Sequence, residues 1–193
     1  MSVNNISSNH SYDRSAIYED LYSRHKYHAD LKVTHAAGLI RFLVLPRFDE
    51  ATRQQVRVLD VGCSHGRGVQ LLWQHGFAAS GVDLAPTAVA VATTHRVPPA
   101  GTDGGLGRCR GEACFKQGSA ASLPFANRTF TAIMTTDMLE HVPLPLIPTV
   151  VAEFTRVATA WLFCAVSLAK ETHRFAGHTL HETVENRSCT HRM

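Results

Sequence analysis

The chain has 193 residues, of which 45% are hydrophobic and 18% charged, the composition of an ordinary globule with enough material for one sizeable core. Its formal net charge of +3 comes from scattered Lys and Arg, so charge makes no case for a nucleic-acid partner. The longest apolar stretch, Trp161 to Ala169, falls far short of the ~20 residues that span a bilayer, so no membrane partner is expected.

Residues 1–14 are rich in Ser and Asn and read as a disordered start. The main domain is expected over 15–168, opening with two helices across 15–46. In the first, Ile17 and Leu21 lie four apart with Tyr18 and Tyr22 on the adjoining face; the second runs from Ala29 to Leu45 with Leu39, Ile40, Leu43 and Val44 as its buried stripe, and Pro46 stops it. These helices form either a packing layer over the sheet or a cover for a ligand.

The stretch that organises the rest is Val56 to Ala92. It predicts a buried strand at Val56–Val61, a turn at Gly62–Gly66, a helix to His75 with Val69, Leu72 and Trp73 inward, a second strand at Phe77–Asp83, and a helix opened by Pro86. Apolar strands joined by helical crossovers form parallel sheets, and such sheets bind nucleotide-like ligands at the carboxyl ends of their strands. Residues 97–111, with two prolines and five glycines, read as a flexible insertion. A short third strand at Ala113–Gln117, a fourth at Thr129–Thr136, a helix burying Ile147, Val150, Val151, Phe154 and Val157, and a fifth strand at Thr159–Leu168 complete the domain. The tail at 169–193 is polar, His-rich and without a period.

The five cysteines are widely spaced with no CxxC, so neither a disulfide framework nor a structural zinc is expected; reduced thiols in the cytoplasm fit best. The opening MSVNNISSNHSYD has no basic start followed by an apolar core, so it is not expected to be a secretory signal. Among the twelve histidines, the pairs His25 with His28 and His173 with His178 are accompanied by neither a Cys cluster nor an HExxH helix, and no metal is expected.

The ligand class follows from the first turn. A dinucleotide fingerprint needs GxGxxG, and neither Gly62 nor Gly66-Arg-Gly68 supplies it. Asp60 ends the first strand beside the turn, where its charge repels a pyrophosphate and attracts an ammonium or sulfonium.

VLDVGCSHG resembles the first motif of class I S-adenosylmethionine-dependent methyltransferases, with Asp60 at the acid near the methionine amino group and Gly62, Ser64 and Gly66 at the three glycine positions. GVDLAP resembles the next motif, which implies that Asp83 accepts hydrogen bonds from the ribose hydroxyls and that Leu84 lies beside it. GSAASLPF resembles the loop that lies against the adenine, through Ser119 and Ala120, and TTDMLEHVP resembles the stretch flanking the methionine part and opening on the acceptor, through Thr136, Asp137 and His141. The resemblance covers about residues 55–168 and is nearest to the small-molecule type of methyltransferase domain. It implies an α/β, doubly wound, Rossmann-like, mostly parallel sheet in the order 3-2-1-4-5, S-adenosyl-L-methionine as cofactor, and methyl transfer to an acceptor that no residue identifies.

Ser64 replaces the middle glycine, tolerable where its backbone angles are ordinary. Ser119 stands where the family usually has Asp, and loses a charge-assisted bond worth about 1 kcal/mol more than a neutral one. The family's reversed hairpin beyond the fifth strand has no counterpart in the 25 residues after Leu168, so the expectation is a domain truncated there, with Trp161, Phe163 and Val166 on an exposed edge open to a protein partner. Cys63 contributes its backbone to the turn and is otherwise a small buried filler. His141 is the nominated general base where the acceptor must lose a proton; Glu140 is equally explained as a helix cap and His141 as a satisfied turn histidine. A non-catalytic cofactor- or partner-binding module and an NAD-dependent oxidoreductase are the competing classes.

Overall fold

A computed structural model of the chain describes residues 14–24, 30–96, 114–168 and 180–181. The expected disordered start at 1–13, the insertion at 97–111 and nearly all of the tail lie outside the described residues. Among the described residues, five helices, α1 (Ser15–Arg24), α2 (Asp30–Leu39), α3 (Arg67–Gln74), α4 (Pro86–His95) and α5 (Ile147–Val157), surround five strands, β1 (Arg57–Val61), β2 (Ala78–Asp83), β3 (Phe115–Gln117), β4 (Phe130–Thr136) and β5 (Ala158–Ala165). The strands form one sheet ordered β3-β2-β1-β4-β5, and every adjacent pair is parallel. This is the doubly wound α/β architecture and strand order that the sequence predicts.

Successive side chains of a strand point to opposite faces, so each strand feeds two cores. On one face Val58, Ala132 and Met134 pack with Val69, Leu72 and Trp73 of α3 and with Leu39, Ile40 and Val44. On the other, Leu59, Val61 and Ile133 meet Val150, Phe154 and Val157 of α5. Each fully buried Val, Leu or Phe contributes about 1.5–3 kcal/mol over its exposed state. Trp73 belongs to the core as expected, and its indole N–H donates to the Ala79 carbonyl at 2.9 Å. Burial on both faces locks β1 in register, with Asp60 opposite Gly81 on one side and Met134 on the other.

Three packing expectations are corrected. The second helix does not run regularly to Leu45: α2 ends at Leu39, a π-helical turn follows at Ile40–Val44, and a 3-10 turn at Leu45–Arg47. The Leu45 N–H donates to the Ile40 carbonyl, five residues back. The wider turn keeps Ile40 and Val44 buried and turns Leu43 out to 47% exposure. In α5 the inward stripe is Val150, Phe154 and Val157, at i, i+4 and i+7; Val151, one residue round the helix, is 46% exposed. On β5 Trp161 is exposed, as is Val166 just past its end, but Phe163 is buried against Trp161 and Phe48. The guanidinium of Arg47 lies over the Trp161 ring, 5.3 Å from its centroid.

Candidate functional site

The turn between β1 and α3 is built from left-handed backbone. Gly62 (φ 77°), Ser64 (φ 50°) and Gly66 (φ 73°) alternate with ordinary residues, which bends the chain sharply enough to bring α3 back onto the sheet. Ser64 therefore does not have the ordinary angles expected of it; it adopts a conformation that costs an L-residue about 1–2 kcal/mol. Its buried hydroxyl has no hydrogen-bond partner among the described residues. At Gly62 a Cβ would come within 2.6 Å of Met138 Cγ, so this position takes no side chain.

The turn is tied to β2 at three points. The N–H groups of Gly62 and Cys63 donate to the Val82 carbonyl at 2.8 and 3.1 Å, and the Ser64 N–H donates to Asp83 Oδ2 at 2.8 Å. Asp83 Oδ1 accepts from the Ala85 N–H at 3.0 Å. A carboxylate carries about four lone-pair sites, so Asp83 is oriented by two amides and keeps acceptor capacity for a ligand. Asp60, 3% exposed, lies against the start of α3, where a Cβ on Gly68 would come within 2.5 Å of its Oδ2. Burial pushes the imidazole of His65 below its ordinary pKa; the charge of Asp83 opposes this, and Arg96 and Arg67 reinforce it.

Two cavities open at the carboxyl ends of the strands and share Gly62. The larger, about 790 Å³ with the open space at its mouth, is lined by Asp83, Leu84, Ser119, Ala120, Asp137 and His141 of the expected site residues. The smaller, about 300 Å³, is lined by Asp60, Cys63, Ser64 and Thr136. The fold thus gathers the chain's separate motifs at the carboxyl end of one sheet. Gly66 lines neither cavity and acts through the turn.

The walls are held by specific contacts. The loop carrying Ser119 and Ala120 is braced from α5: the Arg156 guanidinium donates to the carbonyls of Phe125 and Leu123 at 2.8 and 3.0 Å, and Glu153 accepts from the Leu123 N–H at 2.6 Å. The hydrogen bond from Arg156 holds the Glu153 carboxyl at a pKa of about 2, with burial opposing and the Leu123 N–H assisting. Within the loop, Ser119 Oγ accepts from the Ala121 N–H at 3.2 Å. Asp137, itself left-handed at φ 48°, accepts from His35 Nδ1 of α2 at 2.6 Å.

Glu140 and His141 lie in a 3-10 turn, Leu139–His141, just beyond β4. Glu140 does not cap α5: its Oε1 accepts from the Ser167 N–H at 3.0 Å, past the end of β5. Burial pushes its carboxyl above the usual range, against the opposing hydrogen bonds of its own N–H and that of Ser167. His141 Nδ1 pairs with the Leu180 carbonyl at 3.1 Å.

Of the two roles expected of the N-terminal helices, packing layer or ligand cover, α1 takes both. Arg14, Tyr18 and Tyr22 all line the larger cavity, with Met138, Val142, Pro143 and Leu146. The first helix is therefore a cavity wall as well as a packing element. The i, i+4 spacing of Tyr18 and Tyr22 was its available signal, since two amphipathic rings on one helical face suit a site with polar and apolar contents. Glu19 extends the same helix to α4 by accepting from the Thr87 N–H at 3.0 Å and from its hydroxyl.

Comparison with known proteins places this arrangement. The family model described as "Methyltransferase domain" matches residues 59–160, more than half of the chain. Norajmaline N-methyltransferase of Rauvolfia serpentina is 27% identical over 99 residues, which are 49% of this chain and 30% of that protein. A SAM-dependent methyltransferase of Methanosarcina mazei is 28% identical, over 56% of this chain and 50% of the other, with a TM-score of 0.46. A chain of the complex containing the Haloferax volcanii Trm112 methyltransferase activator matches at a TM-score of 0.51 and 19% identity, over 86% of this chain and 62% of its own, which shows likeness of fold. The chain thus spans about a third to somewhat under two thirds of these relatives. With the matched segment running from β1 into β5 and both acids at the expected strand ends, the chain belongs to the class I S-adenosylmethionine-dependent methyltransferase-domain family.

Proposed function

We propose that the cavities at the strand ends bind S-adenosyl-L-methionine and that the chain transfers its methyl group to an acceptor held beside them. The observation that carries this is the placement of Asp60 and Asp83 about one glycine turn: Asp60 is the penultimate residue of β1, Asp83 ends β2, and each lines one of two cavities that share Gly62. Asp83, oriented by two amides, suits a ribose diol. Asp60, buried at the smaller cavity, suits the ammonium of the methionine part. The apolar wall of Ala120, Ala121 and Val142 suits a flat purine.

When bound, S-adenosyl-L-methionine supplies an electrophilic methyl on a sulfonium centre, which a nucleophile takes in line. The chain's contribution is then mainly positional, since holding two reactants in line can supply several kcal/mol of the barrier. His141 lines the larger cavity, and the Leu180 carbonyl on its Nδ1 fixes the proton there, leaving Nε2 as the proton-accepting nitrogen. It is the residue we assign to deprotonating an acceptor that needs it. Two buried thiols, Cys63 and Cys114, suit the reducing cytoplasm, and among the described residues no helix is long and apolar enough to cross a membrane.

Calorimetric titration with S-adenosylhomocysteine, S-adenosylmethionine and NAD tests the assignment. Binding of the first two and not the third is expected; binding of NAD alone overturns it. Label transfer from the methyl donor to components of a cell extract then separates an enzyme from a binding module.

A further inference from the structure

Beyond the cofactor cavities, the fold brings together three side chains that are far apart in the sequence. Glu140 and His141 follow β4, and His181 belongs to the short described segment at 180–181. One ligand-capable atom from each, a carboxylate oxygen and two imidazole nitrogens, lies within 4.8 Å of the others. The rings of His141 and His181 meet edge to face, with centroids 4.8 Å apart.

Two further features suit this cluster to a metal. Glu140 is wholly buried; its Oε1 is held by the Ser167 N–H, and its Oε2 has no hydrogen-bond partner among the described residues. A buried carboxylate oxygen left in that state destabilises the fold unless something satisfies it. His141 has the outer contact that metal-bound imidazoles characteristically have, a backbone carbonyl on the other ring nitrogen. A carbonyl only accepts, so Nδ1 carries the proton and Nε2 keeps its lone pair for a ligand bond.

We propose that Glu140, His141 and His181 bind one divalent ion of the zinc class at the rim of the larger cavity. Two imidazoles and one carboxylate are a borderline donor set, which favours Zn²⁺ and its transition-metal neighbours over Mg²⁺ or Ca²⁺. Three protein ligands leave a tetrahedral ion one position for water or a substrate oxygen. Ligand atoms about 2.0–2.1 Å from zinc sit roughly 3.4 Å apart, so atoms already within 4.8 Å of one another need to draw together by little more than an ångström. Since His141 also lines the larger cavity, an ion here borders the same space as the acceptor. With the ion bound, an acceptor oxygen on that open position would pass its proton to solvent water, since His141 Nε2 is then a ligand; the base role given to His141 above holds for the metal-free chain.

The test uses the full chain, stripped of metal with a chelator and titrated with ZnCl₂ by calorimetry, and separately with Co²⁺ by visible absorption. With twelve histidines in the chain, uptake alone is not diagnostic, and the variants decide between this site and any other. One site should be lost, or weakened at least about tenfold, in both Glu140→Gln and His181→Gln, with S-adenosylhomocysteine binding retained as evidence of folding. The Co²⁺ spectrum should show nitrogen and oxygen donors without a thiolate charge-transfer band. If Glu140→Gln fails to fold, His181→Gln carries the test from a peripheral position. No uptake by the parent chain, unchanged uptake by the folded variants, or a thiolate band overturns the proposal. Because zinc binding is read independently of the S-adenosylhomocysteine titration, either proposal can fail without the other.

Discussion

The Ser64 N–H donates to Asp83 Oδ2 at 2.8 Å, so the strained turn after β1 and the acid ending β2 form a single mechanical unit. Neither can shift without the other, and both face the cavities.

Replacing Asp83 by Ala should remove a ligand contact and two structural ones together. The amides of Ser64 and Ala85 would lose their acceptor in a buried setting, at about 1–3 kcal/mol each. Calorimetry should show S-adenosylhomocysteine affinity down by at least about tenfold, and thermal unfolding should show a lower melting temperature. Asp83→Asn, which keeps one acceptor oxygen, should retain more stability than affinity. Equal affinity for the parent and both variants would remove Asp83 from the site.

Ser64→Gly should stabilise the protein. The left-handed backbone at φ 50° costs a serine about 1–2 kcal/mol, and the change also removes a buried hydroxyl without a partner among the described residues. Glycine's greater freedom in the unfolded chain offsets part of this. A gain of about 1 kcal/mol corresponds to roughly 2–4 °C in melting temperature at this size. A β-branched residue there, such as Val, should be strongly destabilising.

Acid should loosen the brace between α5 and the 119–125 loop. The Glu153 carboxyl has its pKa depressed to about 2, against about 4.3 in an unfolded chain. Its contribution to stability is therefore present above the unfolded value and fades as pH falls from there toward the folded one. The gap in melting temperature between the parent and Glu153→Gln should be constant above about pH 5 and close progressively below about 4.3. A gap that persists unchanged to the acid limit would mean that Glu153 acts through packing.

His35→Ala tests whether α2 helps to shape the site. The pair with Asp137 has its His partner 55% exposed, and exposed pairs contribute only about 0–1 kcal/mol. Melting temperature should move by no more than a few degrees. Affinity for S-adenosylhomocysteine should fall by a few fold, because the left-handed Asp137 beside the larger cavity loses its external tether. A large loss of stability with unchanged affinity would reassign His35 to packing.

The sheet was legible because buried parallel strands are written as apolar runs, and Val58, Leu59, Ile133 and Met134 belong to such runs. The acids were legible for a related reason: Asp60 and Asp83 interrupt apolar runs at their ends, where a charge is tolerated only with partners. What escaped the sequence was geometry without a periodic trace. The π-helical turn at Ile40–Val44 keeps helical spacing while re-aiming Leu43, and the positive φ of Ser64 cannot be read from a residue that is usually extended or helical. His181 escaped because its neighbours in the metal-ligating cluster are brought to it by the fold, well away from any local spacing rule.

The pairing of β1 with β2 on one side and β4 on the other has a consequence for how the protein comes into being. Both acids of the site are synthesised early, yet the strand that completes their surroundings begins only at Phe130. Until β4 arrives, β1 offers an open, apolar edge, and long-range parallel pairing is slow because loop closure must precede its reward. The nascent chain therefore passes through an interval in which its most ligand-specific segment is also its most adhesive. Cofactor can select the native state only after that interval closes, which puts the burden of early folding on the packing of α3 against β1 and β2 rather than on the site it supports.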